Sequence, residues 1–161
     1  MKKTLLALLM ALMLLTPALA ETAVDPFLPF VLTAPADVVI EENEASRTYV
    51  RTGTRVVAMV IPRIPDEDPA ASLPMLMAQF EAAAVPGEAL VLTEGFHGLQ
   101  AVTPDRLGVG VDQLTVMVLF EGDLLILAGY DLGGDEEKVQ LLLDELLALA
   151  TVNGVSILPH E

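Results

Sequence analysis

Three stretches of this chain are apolar at odd and even positions alike: Val56-Val57-Ala58-Met59-Val60-Ile61, Leu114 to Phe120, and Leu124 to Tyr130. Successive side chains of an extended strand point to opposite faces, so a strand of this kind must bury both of them. It belongs in the middle of a sheet that is covered on each side. An open, one-sided sheet is thereby excluded, and the covers have to come from elsewhere in the chain.

Two helical patterns can supply them. Leu73, Leu76, Met77, Phe80 and Ala84 recur at helical spacing after Ser72, a residue able to cap the helix. Pro74 is then tolerable in the first turn, and Val85-Pro86-Gly87 stops the helix. Gly133-Gly134-Asp135-Glu136-Glu137 opens the second, with carboxylates in the turn where the helix dipole favours them. Val139, Leu142, Leu143, Leu146 and Ala150 form its stripe, widened by Leu141, Leu147 and Leu149. Asn153-Gly154 reads as its stop, with Val155 to Leu158 returning to the sheet edge.

The remaining signals are strands and turns. Phe30 to Leu32, ending at Ala34-Pro35, and Val38 to Ile40 read as short strands. Thr48 to Arg51 and Thr54 to Ile61 read as a hairpin about Thr52-Gly53, and Ala89 to Thr93 and Leu99 to Thr103 as a further pair. Glu121-Gly122-Asp123 closes the most apolar hairpin. The predicted fold class is α+β: an antiparallel-rich β-sheet with two long amphipathic helices packed on its faces, an α/β sandwich. A single globular domain spans residues 30–158, preceded by a flexible, loosely held N-terminal leader at 21–29.

Residues 1–20 carry the marks of a signal peptide. Lys2 and Lys3 precede the apolar run Leu5 to Leu15, Thr16 and Pro17 interrupt it, and Ala18-Leu19-Ala20 gives small residues at Ala18 and Ala20 before the cut. The expected product is exported, periplasmic or extracellular, with no integral membrane span after cleavage. The chain has no cysteine, so neither a disulfide nor a cysteine-linked lipid can help hold it. With 53% apolar residues and no Trp, the core must be aliphatic. Removing the two leader lysines takes the formal charge from −15 to −17, which argues against nucleic acid and anionic lipid as partners and for cationic ones.

The chemical inventory is short. Four of the six cations of the mature chain, Arg47, Arg51, Arg55 and Arg63, lie close in sequence and raise the idea of an anion patch. On a ribbon turning at Thr52-Gly53, however, Arg51 and Arg55 face opposite ways. The two histidines are His97, beside Phe96 and Gly98, and His160 near the C-terminus; Ser46, Ser72 and Ser156 lie outside any G-x-S-x-G elbow. Glu41-Glu42-Asn43-Glu44 and Asp66-Glu67-Asp68 offer oxygen ligands for Ca²⁺ but lack the spacing of a cation-wrapping loop, and solvated surface charge is the default for both. Gly108-Val109-Gly110 lacks the third glycine of a dinucleotide loop and reads as a flexible turn. No residue is assigned a catalytic, cofactor-binding or metal-binding role.

The order Phe30-Val31-Leu32-Thr33-Ala34-Pro35, hairpin, helix, strand pair with Gly98-Leu99-Gln100-Ala101, apolar hairpin and closing helix resembles the PsbP-like α/β sandwich superfamily, which includes the extrinsic photosystem II subunit and many exported bacterial proteins. The resemblance covers roughly residues 28–158. It implies a small exported domain that binds or stabilises other components and does no catalysis, and it carries no functional residue with it. The expectation is therefore a non-enzymatic domain with a protein partner in the envelope or outside the cell. The alternatives are a small-molecule or lipid carrier with an aliphatic pocket lined by Met77, Phe80 and Met117, a hydrolase built around His97, and a homodimer seam along Leu141, Leu147 and Leu149.

Overall fold

Seven strands pair in the order β2-β3-β4-β8-β7-β6-β5, every neighbouring pair antiparallel. They are β2 (Val39–Glu42), β3 (Arg47–Arg51), β4 (Thr54–Ile61), β5 (Glu88–Ala89), β6 (His97–Thr103), β7 (Gln113–Phe120) and β8 (Asp123–Asp131). The three stretches apolar at both parities, β4, β8 and β7, lie side by side at the centre. A second, three-stranded sheet has β9 (Thr151–Val152) between β1 (Phe30–Val31) and β10 (Val155–Ser156). The computed structural model describes residues 25–62, 64, 68–79 and 88–160.

The two faces are covered by different helices. Against one face packs α2 (Glu136–Leu149), whose Val139, Leu142, Leu143, Leu146 and Leu147 join Tyr49, Val56, Ala58, Val116, Val118, Leu125 and Leu127 in the larger core. Against the other packs α1 (Pro69–Gln79), whose Leu73 and Met77 meet Leu99, Ala101, Met117, Leu119, Leu124 and Ile126. The fold is thus an α+β sandwich, as the double-sided strands require. Among the described residues no helix is long and apolar enough to cross a membrane.

Hairpin geometry repeats one device. Thr52-Gly53, Glu121-Gly122 and Asn153-Gly154 each place both residues at positive φ, the two-residue turn whose twist matches that of the strands it joins. Asn153-Gly154 is therefore not the stop of α2. That helix ends at Leu149, where Ala150 takes an extended conformation and its N–H bonds the Leu147 carbonyl. Likewise Val155 does not return to the edge of the large sheet but pairs with β9.

Three other boundaries move for identifiable reasons. Asp68, not Ser72, starts α1: its carboxylate accepts from the Ala71 N–H at 3.3 Å, and Pro69 follows with a preset φ. Pro74 then falls in the second turn, where it denies Ala70 a hydrogen bond, and both residues are exposed so water can serve the carbonyl. Residues 25–29 are not a loose leader. Phe27 is 1% exposed and Phe30 fully buried, Asp25 caps the Phe27 N–H at 2.9 Å, and the Arg47 guanidinium lies 4.3 Å from the Phe27 ring centre. Finally, the strand expected over Ala89 to Thr93 is formed only at Glu88–Ala89, with one further hydrogen bond from the Leu90 N–H to the Gly98 carbonyl at 3.0 Å. Leu90 and Leu92 then lie over Gly98, where a Cβ would come within 2.6 Å of Leu92, and the Thr93 N–H crosses to the Ile157 carbonyl.

Candidate functional site

The C-terminal end of β8 delivers Asp131 to the point where the chain turns into α2. Its carboxylate accepts from the Thr54 hydroxyl at 2.7 Å, from the Gly133 N–H at 2.8 Å and from the Asp135 N–H at 3.3 Å. These donors, the Thr54 hydroxyl foremost, hold its pKa below the ordinary aspartate value. Asp131 thereby ties the β3–β4 hairpin to the entry of α2. Asp135 caps that helix through the Lys138 N–H at 3.2 Å and pairs with the Lys138 ammonium at 2.9 Å, which lowers its pKa as well.

Opposite this turn, the segment before β7 is held by another aspartate. Asp105 accepts from the N–H groups of Val109 at 3.0 Å and Gly110 at 2.6 Å, and from Gln113 Nε2 at 3.2 Å. Those backbone donors depress its pKa. Gln113, buried, also bonds the Val111 carbonyl and the Arg106 N–H. Gly108-Val109-Gly110 is therefore a turn pinned from within.

Between the two segments lies a cleft of about 260 Å³. Its apolar part comes from Val102, Leu114, Gly129 and Val139, and its acidic part from Asp112, Asp131, Asp135 and Glu136. Asp131 and Asp135 are occupied as described, whereas Asp112 and Glu136 are exposed. The N-terminus of α2 would by itself favour an anion, but four carboxylates surround it. The cleft consequently suits a cation or a hydrogen-bond donor seated over an aliphatic floor.

Residues singled out from the sequence fall elsewhere. Met77 is 2% exposed and Met117 fully buried; they share the core beneath α1, while Phe80 lies outside the described residues, as do Ala18 and Ala20. The arginines serve the sheet edge: Arg47 pairs with Asp25 and Glu42, Arg51 with Asp37 and Glu145, and Arg55 with Glu41. Arg63 is outside the described residues. Arg47 and Arg51 share one face and Arg55 takes the other, so they converge on no common ligand. In the first acidic cluster Asn43 closes the β2–β3 turn through the N–H groups of Ala45 and Ser46. In the second, only Asp68 is described.

His97 stands exposed at the start of β6, opposite Leu119, and His160 is exposed near the C-terminus. Ser46, Ser72 and Ser156 are on three separate elements. Among the described residues no group of three or more His, Cys, Asp or Glu side chains is arranged to hold a metal ion. Sequence reasoning missed Asp112, Asp131 and Glu136. Asp131 did leave a trace: a carboxylate ending a strand buried on both faces needs donors, and Gly133-Gly134-Asp135 places backbone N–H groups within reach.

No protein-family model matches the chain, and no curated protein matches it.

Proposed function

We propose that the chain is an exported, non-enzymatic binding domain that docks a protein partner in the cell envelope or outside the cell, seating a cationic side chain of that partner in the cleft at the start of α2. The observation that carries this is the pairing of an aliphatic floor, Val102, Leu114 and Val139, with exposed carboxylates at Asp112 and Glu136. A Lys or Arg side chain has the matching form, an apolar stem and a charged head. The formal charge of −15 steers cationic surfaces toward it. The PsbP-like resemblance supports binding over turnover.

A carrier is less well supported. Drug-sized ligands occupy pockets of roughly 300–1,000 Å³, and the expected lining residues Met77 and Met117 are packed into core. Site-specific photo-cross-linking in a secreting host tests the proposal. A cross-linker at Val102 is expected to trap one discrete protein, one at Asp144 on the outer face of α2 is not, and Glu136→Lys with Asp112→Lys abolishes the adduct. Turnover of a substrate by the purified protein, or a retained small molecule in its native mass spectrum, overturns it.

A further inference from the structure

All four residues of the edge strand β2 are exposed, Val39 to 64% and Ile40 to 43%. Among the described residues it has a neighbour, β3, on one side only. The Asn43 N–H bonds the Ser46 carbonyl, and antiparallel ladders alternate hydrogen-bonded and non-bonded pairs. The bonded pairs are therefore Glu41 with Thr48 and Val39 with Val50, and the peptide groups of Ile40 and Glu42 turn outward. Two N–H and two carbonyl groups face away from the sheet, the template for an added strand.

The charges on this edge select its occupant. Should β2 pair antiparallel with β2 of a second copy so that the outward groups match Ile40 with Glu42, Glu41 stands directly opposite the Glu41 of the copy, and Val39 falls beyond the strand, opposite Asn43. Like charges at that close, non-bonded position are destabilising. Glu41 and Glu42 keep side-chain exposures of 58% and 59% despite their contacts with Arg55 at 3.7 Å and Arg47 at 2.7 Å. Each carboxylate has acceptor capacity beyond one ion pair.

Resting on the reading of the chain as a partner-binding domain, we propose that β2 accepts an extended segment of the partner as an added antiparallel strand, of the pattern basic-basic-apolar-apolar from its N-terminus. Its basic residues face Glu42 and Glu41, and its apolar residues face Ile40 and Val39. The segment is separate from the side chain seated in the cleft. Negative charge at Glu41 and Glu42 thus disfavours the self-pairing register that sets Glu41 against Glu41, and it sets the sequence class of the incoming strand.

The test uses the mature protein with two probe peptides, Thr-Lys-Lys-Val-Val-Thr and its acidic counterpart Thr-Glu-Glu-Val-Val-Thr. Amide exchange is expected to slow at least tenfold at Ile40 and Glu42 with the basic peptide and to stay unchanged with the acidic one. Ile40→Pro removes an N–H that the sheet does not use, so it should keep the thermal midpoint and abolish the protection. Glu41→Lys with Glu42→Lys, which leaves the backbone alone, should transfer the preference to the acidic peptide. Failure of the basic peptide to bind overturns the proposal, as does a wild-type protein that dimerises through β2. Protection confined to residues around Asp112 and Glu136 overturns the edge and leaves the cleft reading standing.

Discussion

Gly129 sits in β8 beneath the first turn of α2, and the helix rests on it so closely that one methyl group is too many. A Cβ built there lies 2.6 Å from Val139 Cγ1 and 3.3 Å from Leu143 Cδ1, whereas carbon atoms in contact settle at about 3.5–4.0 Å. Val139 is β-branched and held in one rotamer by its own helix, so it cannot turn aside. In Gly129→Ala the start of α2 must therefore lift by about 1 Å, the shortfall between the two distances. Overpacking of this kind costs roughly 1–3 kcal/mol. Replacing a strand glycine by alanine returns about 0.5–1 kcal/mol of backbone entropy. The net loss is about 1–2 kcal/mol, equivalent to a fall of roughly 4–8 °C in thermal midpoint for a domain of this size.

Urea unfolding followed by far-ultraviolet circular dichroism reads this as a lower midpoint at unchanged slope. Val139→Ala supplies the control, because it removes the atom that collides. In that background Gly129→Ala should be close to neutral, giving a coupling of about 1–2 kcal/mol between the two sites. A wild-type midpoint for Gly129→Ala, or the same loss in both backgrounds, would refute the claim that the helix bears directly on the glycine.

Four further outcomes are expected. The folded pKa of Asp131 lies below the ordinary 3.8, so its ionised form stabilises the fold fully above that value and the contribution disappears as pH falls through it toward the folded pKa; Asp131→Asn should lower the melting temperature at neutral pH, and the gap to wild type should close below about pH 4. Tyr49 is fully buried, burial raises its pKa against the opposing pull of the Arg47 guanidinium beside it, and its hydroxyl makes no well-formed hydrogen bond among the described residues; Tyr49→Phe should leave stability within about 1 kcal/mol of wild type in chemical denaturation, since a poorly paired buried hydroxyl contributes little. Met77→Ala should cost about 2–4 kcal/mol by the same assay, as expected of a core residue and not of a pocket wall. Leu141, 55% exposed, should tolerate Ser within about 0.5 kcal/mol, and the wild-type protein should show a monomeric mass by light scattering, the result that removes the seam along α2 as an assembly surface.

The covered centre of the sheet was legible because a strand apolar at both parities has one place to go. The hairpins at Thr52-Gly53 and Glu121-Gly122 were legible too, since few residues accept positive φ in succession. The start of α1 was misplaced because Ser72 and Asp68 are both competent caps, and only the fold shows which one precedes the helix. Asn153-Gly154 was misread for a similar reason: a residue pair suited to positive φ serves a helix stop and a hairpin equally well, and two-residue strands carry no periodicity to separate them. Phe27 was overlooked because a lone aromatic next to prolines has no pattern. Its burial depends on Arg47 and β3, distant in the chain.

The cleft was illegible for a deeper reason. Asp112, Asp131 and Glu136 belong to three different elements, and no spacing along the chain encodes their meeting. The periodic part of this protein can be read along the chain: double-sided strands, striped helices and tight turns, each dictated by local geometry and by the need to bury apolar side chains. Which charges are neutralised and which stay open is settled by the folded arrangement. Arg47, Arg51 and Arg55, three of the four arginines that raised the idea of an anion patch, are consumed by the edge of the sheet, while Asp112 and Glu136 remain exposed beside an aliphatic floor, because electrostatic pairing depends on distance through space and the sequence records only distance along the chain.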